Sequence, residues 1–211
     1  MSVMLGMMAN LFGFTRQECA VFRRLSSPEK IQRFLDEEIF YDPGTSCRSP
    51  RRVLRERRGH CVEGALLATS ALRILGHPPL ILDLEAERDD DHVLTLFRHD
   101  RLWGAIGKSN YSGLRYREPV YKSLRELAMS YFEHYFNPRG QRTLRGYSRP
   151  INLSQFDSTG WMTSEEDPWH IPNYLTTISH TPLIPRKVVA RLTPLDRRLK
   201  AAGELGMKKA G

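Results

Sequence analysis

No run in the 211 residues approaches the roughly 20 consecutive apolar residues that cross a bilayer, so no membrane span is expected. Cysteine is scarce. Cys19, Cys47 and Cys61 are odd in number and form no Cys-x-x-Cys pair, which argues against a disulfide framework or a zinc finger and fits a reducing compartment. The apolar, Met-rich start from Met1 to Phe14 lacks the basic flank, the long uninterrupted core and the small-residue cleavage pattern of a signal peptide, so the expected location is cytoplasmic. There is no internal repeat, and no aromatic residue interleaves the basic residues beyond Arg186.

The composition that remains, 40% hydrophobic and 27% charged, is that of a globular chain able to bury a core. The net charge of +8 is concentrated at one end: from Arg186 to Gly211 there are eight Lys or Arg against Asp196 and Glu204. The expected organisation is therefore one domain over 1–185 followed by a basic tail over 186–211. A basic tail can attract nucleic acid, but without aromatic residues among the charges a solvated, frayed end is the simpler reading, and nucleic acid is not the expected partner.

Hydrophobic spacing lays out the elements. Ser27-Pro28-Glu29 starts a helix over about 28–40, with Ile31, Phe34, Leu35 and Ile39 on one face, and Tyr41-Asp42-Pro43-Gly44 ends it. An Arg-rich segment follows, Arg48 to Arg58. A second helix opens at Cys61, with Val62, Ala65, Leu66, Leu72 and Leu75 apolar, small residues at Ala65, Ala68 and Ala71 for close packing, and Gly76 as its stop. Strands are predicted at Leu80–Leu84, Val93–Phe97 and Leu102–Ile106, the last two joined by a tight turn at Asp100-Arg101. The 3.6-residue spacing of Val120, Tyr121, Leu124, Leu127, Ala128, Tyr131, Phe132 and Tyr135 predicts a helix over 120–136.

The chemistry centres on Gly59-His60-Cys61 and on Asp89-Asp90-Asp91-His92. A thiol is an effective nucleophile as thiolate, and a helix start together with a nearby imidazole lowers its pKa. The plain alternative is that a free cysteine packs as a small hydrophobe. Carboxylates beside His92 have the donor chemistry for a divalent cation, yet neighbouring residues of an extended chain alternate in direction, so no metal and no cofactor are expected. His60 is expected to point away from the thiol and is a minor competitor for the base role; His99 is expected to be exposed. The Arg cluster is either a solvated surface or a border of the site that favours an acidic substrate.

The order of these pieces resembles the transglutaminase-like superfamily within the papain-like cysteine proteinase fold. The resemblance rests on Gly59-His60-Cys61, Ala65 and Gly76, His92 at a strand start and Trp103-Gly104-Ala105-Ile106, and covers about residues 50–110. It implies an α+β domain, a Cys-bearing helix packed on a small antiparallel β-sheet, with Cys61 as nucleophile, His92 as base and amide hydrolysis or acyl transfer through a thioester on a peptide or protein substrate. One departure stands out. Where the family carries an Asp after the Trp strand, this chain has Gly107; Asn110 is the expected substitute, because an amide oxygen can orient an imidazole. The alternative is a catalytically inactive scaffold that binds a peptide or protein in the same groove.

Overall fold

The computed structural model describes residues 12–207, so most of the apolar start and the last four residues of the chain lie outside the described residues. It is a mixed α+β fold. Helices α1 (Arg16–Arg24) and α2 (Pro28–Glu37) open it, each with a hydroxyl N-cap, Thr15 and Ser27, that accepts from an otherwise orphan amide. After the two-residue strand β1 (Phe40–Tyr41) comes α3 (Pro50–Glu56), a helix inside the Arg-rich segment that hydrophobic spacing does not mark. Strand β2 (Arg58–Gly59) pairs parallel with β1 and delivers the chain to α4 (Cys61–Ile74), which starts at the cysteine as expected and is stopped by Gly76 at φ +91°.

The main sheet is antiparallel throughout. In spatial order it runs β6 (Arg117–Tyr121), β5 (Leu102–Ile106), β4 (His92–His99), β3 (Leu80–Ala86), β7 (Leu144–Ser148) and β9 (His180–Pro182), with β8 (Ile151–Asn152) also pairing with β3. The β4–β5 hairpin turns at Asp100-Arg101, and both residues adopt positive φ, the geometry that suits the right-handed twist of paired strands. Because alternate residues of a strand point to opposite faces, Ile81, Val93 and Phe97 join one core with α4 while Leu82, Leu84, Leu94 and Leu96 join another on the far side. Both faces are covered, which is why β3 and β4 read as nearly continuous apolar runs.

Helix α4 lies against β4 with Ala65, Ala68 and Ala71 buried. Its one polar seam is satisfied: Thr95 donates to the Ala65 carbonyl at 2.7 Å and its hydroxyl meets that of Thr69 at 3.0 Å. Gly64 is needed at the crossing with Lys108, since a Cβ there would sit 2.3 Å from the lysine Cβ. The Lys108 ammonium passes beneath and donates to the Leu35 and Ile39 carbonyls just past the middle and end of α2.

Two expectations about the second half are corrected. The helix predicted over 120–136 is only α5 (Leu124–Met129), preceded by β6 and followed by a 3-10 turn over Phe132–His134. Residues 117–121 gain more by pairing with the edge of β5, leaving Val120 61% exposed, and Ser123 caps the helix by accepting from the Glu126 amide. The spacing still identified Leu127, Ala128, Tyr131 and Tyr135 as core. The basic segment from Arg186, expected to fray, carries α7 (Arg186–Val189) and α8 (Arg197–Gly203) after α6 (His170–Leu175), and buries Leu195 and Gly203. Ser112 donates to the Ala202 carbonyl at 2.6 Å, and the missing side chain of Gly203 makes room for the Phe136 ring.

Candidate active site

A cleft of about 290 Å³ opens where the start of α4 meets the start of β4, lined among others by Tyr41, His60, Cys61, Asp89–Asp91, His92, Tyr111, Leu114, Tyr135 and Phe136. Cys61 and His92, 31 positions apart in sequence, both line it because α4 packs along β4 and each element begins at this cleft. The Cys61 thiol is partly exposed, and its sulfur lies 3.9 Å from the Asp91 carbonyl oxygen. Burial works to raise its pKa, but hydrogen bonds and charge from His60 and His92 outweigh that and bring the thiol down to about 6. The other two thiols behave oppositely: burial pushes Cys19 up and Cys47 up to about 12.

His60 does not point away, as the sequence was read to imply. It is the N-cap of α4: Nδ1 accepts from the Val62 amide at 3.3 Å, Nε2 lies 2.6 Å from the Ser46 carbonyl, and Nδ1 is also 4.0 Å from the Cys61 sulfur. Burial opposes a charge on this ring, yet its contacts with Cys61, Glu63 and the Ser46 carbonyl hold its pKa up at about 9. Glu63 completes a reciprocal capping box by accepting from the His60 backbone N–H at 2.8 Å. That carboxylate is fully buried and also accepts from Ser46 Oγ, from the Arg48 backbone N–H and from the Arg48 guanidinium. The His-x-x-Glu spacing was the signal in the sequence that could have revealed the cap.

His92 is buried, and its Nε2 lies 2.9 Å from the Leu114 carbonyl oxygen. A backbone carbonyl is therefore an acceptor at this ring; Asn110 sits between Ser109 and Tyr111, which line the cleft, and is not itself in the lining. Room for the carbonyl is made at Gly107. A Cβ at that position would stand 3.1 Å from His92 Nε2 and 2.9 Å from the Leu114 oxygen, so the absence of a side chain lets the loop carbonyl occupy the place beside the ring. Gln32 fixes Gly107 with a pair of buried hydrogen bonds, its amide nitrogen donating to the Gly107 carbonyl at 3.0 Å and its amide oxygen accepting from the Gly107 N–H at 3.1 Å.

The three aspartates brace the loop ahead of His92. Asp91 accepts from the Ala86 amide at 2.7 Å, Asp89 accepts from the Thr143 hydroxyl at 2.6 Å, and the Asp90 carbonyl accepts from the Tyr135 hydroxyl at 2.6 Å. Among the described residues, no cluster of His, Cys, Asp and Glu has the arrangement to hold a metal ion. The Arg-rich segment does not border the cleft. Arg48 pairs with Asp42, Glu56 and Glu63, Arg51 with Glu18, Arg52 with Glu56 and Asp167, Arg55 with Glu165, and Arg57 with Glu38. Among the described residues no Arg or Lys lines the cleft, so these arginines are not placed to favour an acidic substrate there. His99 is exposed beside Asp100.

Among the described residues, no helix is long and apolar enough to cross a membrane. No protein-family model matches the chain, and no curated protein matches it.

Proposed function

We propose that this chain is a cysteine-dependent hydrolase or acyltransferase acting on amide bonds, built on a transglutaminase-like core of the papain-like kind. The observation that carries the reading is the placement of the Cys61 sulfur at a helix start, 4.0 Å from His60 Nδ1, inside a cleft that also holds His92; its lowered pKa, against the raised ones of Cys19 and Cys47, agrees with this. In this mechanism the Cys61 thiolate attacks an acyl carbon, amides at the start of α4 stabilise the oxyanion, and His92 protonates the leaving amine. Water or a second amine then resolves the thioester. The Leu114 carbonyl accepts the Nε2 proton of His92 and so leaves Nδ1 as the basic nitrogen, the same tautomer-fixing task a carboxylate or amide performs elsewhere.

Substrates that carry positive charge suit a cleft lined by three aspartates and by the rings of Tyr41, Tyr111, Tyr135 and Phe136. A peptide with a basic side chain next to the reacting amide is the substrate class we favour.

The test is alkylation of the folded chain across pH. Selective reaction at Cys61, half-maximal near pH 6 and moved upward by His92→Ala, together with turnover of a basic peptide amide or ester, is the expected result. One observation favours the binding-scaffold alternative: the Leu114 carbonyl is uncharged and stabilises an imidazolium less than a carboxylate does. Reactive Cys61 with no turnover of any acyl substrate would decide for the scaffold, and equal sluggishness of all three cysteines would remove the nucleophile.

A further inference from the structure

The nitrogen of His60 nearest the thiol has two claims on it. Nδ1 accepts from the Val62 N–H at 3.3 Å, which requires its lone pair, while Nε2 carries its proton toward the Ser46 carbonyl at 2.6 Å. The same Nδ1 faces the Cys61 sulfur at 4.0 Å. An imidazole nitrogen cannot hold a proton and accept a hydrogen bond through the same lone pair. The two partners of Nδ1 are therefore mutually exclusive.

We propose that His60 is a second catalytic imidazole whose Nδ1 holds either the Val62 amide or the proton of Cys61, so that charging the thiol–imidazole pair uncaps the helix start and frees the Val62 N–H for the substrate oxyanion. In the step itself the S–H bond breaks and leaves its electron pair on sulfur, an N–H bond forms at Nδ1, the proton on Nε2 stays there, donated to the Ser46 carbonyl, and the Val62 hydrogen bond is released. Nothing is oxidised or reduced. The freed amide belongs to the residue directly after the nucleophile, where an oxyanion donor is useful only once the thiolate has formed. The Val62 donor is thus free wherever the imidazolium stands beside the thiolate, and is taken up again by the cap when the ring loses that proton. Division of labour follows: His60 holds the thiol's proton beside the sulfur, and His92, oriented by Leu114, is the ring that passes a proton to the leaving group and recovers one from the water that resolves the thioester.

The cage around His60 is built to tolerate that charge. Glu63, fully buried, stands 3.7 Å from Nε2 and is itself fixed by the His60 backbone, Ser46 and Arg48. The raised pKa of His60 agrees with this placement. The other titratable groups that sense the thiolate are His92, Tyr41, Asp83 and Tyr135, from β4, β1, β3 and the turn before β7.

The inference rests on the reading of Cys61 as the nucleophile, but its test does not need a substrate. In the full chain, nuclear magnetic resonance titration should show the His60 ring and the Val62 amide changing together near pH 9, where the pair loses its proton and the cap re-forms. In Cys61→Ser both transitions should move down together, with about a hundredfold loss of proton affinity, because the thiolate that held the charge is gone. A Val62 amide that stays constant while His60 titrates would overturn the proposal. His60→Asn supplies the second arm, since Asn keeps an N-cap but carries no proton. It should abolish the Val62 titration and slow alkylation of Cys61 at pH 7 by roughly tenfold as the thiolate fraction falls. Turnover should fall further than alkylation, because the amide is locked in the cap; equal falls would overturn the role given to Val62. If the wild-type chain turns over no acyl substrate, the hydrolase reading fails, and the coupling of His60 to Val62 is still decided by the titration.

Discussion

The Leu114 carbonyl oxygen lies 2.9 Å from His92 Nε2, and Gly107 is the residue that lets it reach there. Placing an Asp at 107, the residue the resemblance calls for, should not improve the site. Its Cβ would meet both the Leu114 oxygen and a Leu94 methyl at 2.9 Å, closer than real Cβ contacts come, so either the loop or the ring must move. Gly107→Asp and Gly107→Ala are both expected to destabilise the fold by about 1–3 kcal/mol through overpacking, and to slow alkylation of Cys61. Urea midpoints and alkylation rates measured together would check this; an Asp variant that reacts faster than wild type would refute it.

Gln32 should matter to the site without touching it. Replacing it by Ala removes both partners of the Gly107 backbone, and unsatisfied buried amide groups cost about 1–3 kcal/mol each. The expected result is a lower thermal midpoint and a slower Cys61, because the segment beside His92 is no longer fixed. Gln32→Glu keeps an acceptor for the Gly107 N–H but sets a buried carboxylate oxygen against the Gly107 carbonyl and the Asp36 carboxylate, so it too should lower the midpoint. Retention of the wild-type midpoint in Gln32→Ala would show that the pair contributes nothing to the fold.

Much of this site was readable from residue spacing, and the exceptions share a cause. The helix from Cys61, the strand from His92 and the hairpin at Asp100-Arg101 are local patterns, each set by a cap, an alternation or a turn. The acceptor at His92 Nε2 is a backbone carbonyl, and every residue has one, so no side-chain pattern marks Leu114. The arginines from 48 to 58 look like a solvated or substrate-facing cluster in sequence because their partners, Glu18, Glu38, Glu165 and Asp167, are far away along the chain. Residues 120 and 121, at the start of the predicted helix, lie in a strand for a related reason: a pairing edge on β5 outweighs their own spacing.

Glu63 ties the arginine network to the cap of α4. With Glu63→Ala, Arg48 loses one of its three carboxylates and the His60 amide loses its acceptor. Breaking a buried pair by removing one partner costs about 3–5 kcal/mol, so a marked drop in stability is expected. Glu63→Gln should be milder in stability yet should still lower the His60 pKa, since the negative charge near Nε2 is removed. A His60 ring that titrates unchanged in Glu63→Gln would exclude the carboxylate as a support for its charge.

Stability across pH should separate the two members of the charged pair. Cys61 ionises at about 6 in the folded chain against its ordinary 9.0, so between those values the unfolded chain holds a proton that the folded chain has released. This group makes stability rise with pH over that window, and its contribution is lost as pH falls through about 6. His60 titrates at about 9 against 6.5; its contribution is full below 6.5 and is lost as pH rises through about 9. From 6.5 to 9 the two slopes oppose each other, and the pair should leave stability nearly independent of pH. His60→Asn removes the falling half and leaves the thiol held down by His92 alone, so its urea midpoint should climb with pH only in the upper part of that window, towards 9. A midpoint in His60→Asn that stays as flat as wild type would mean that His92 alone does not hold Cys61 ionised, and the thiolate would rest on His60.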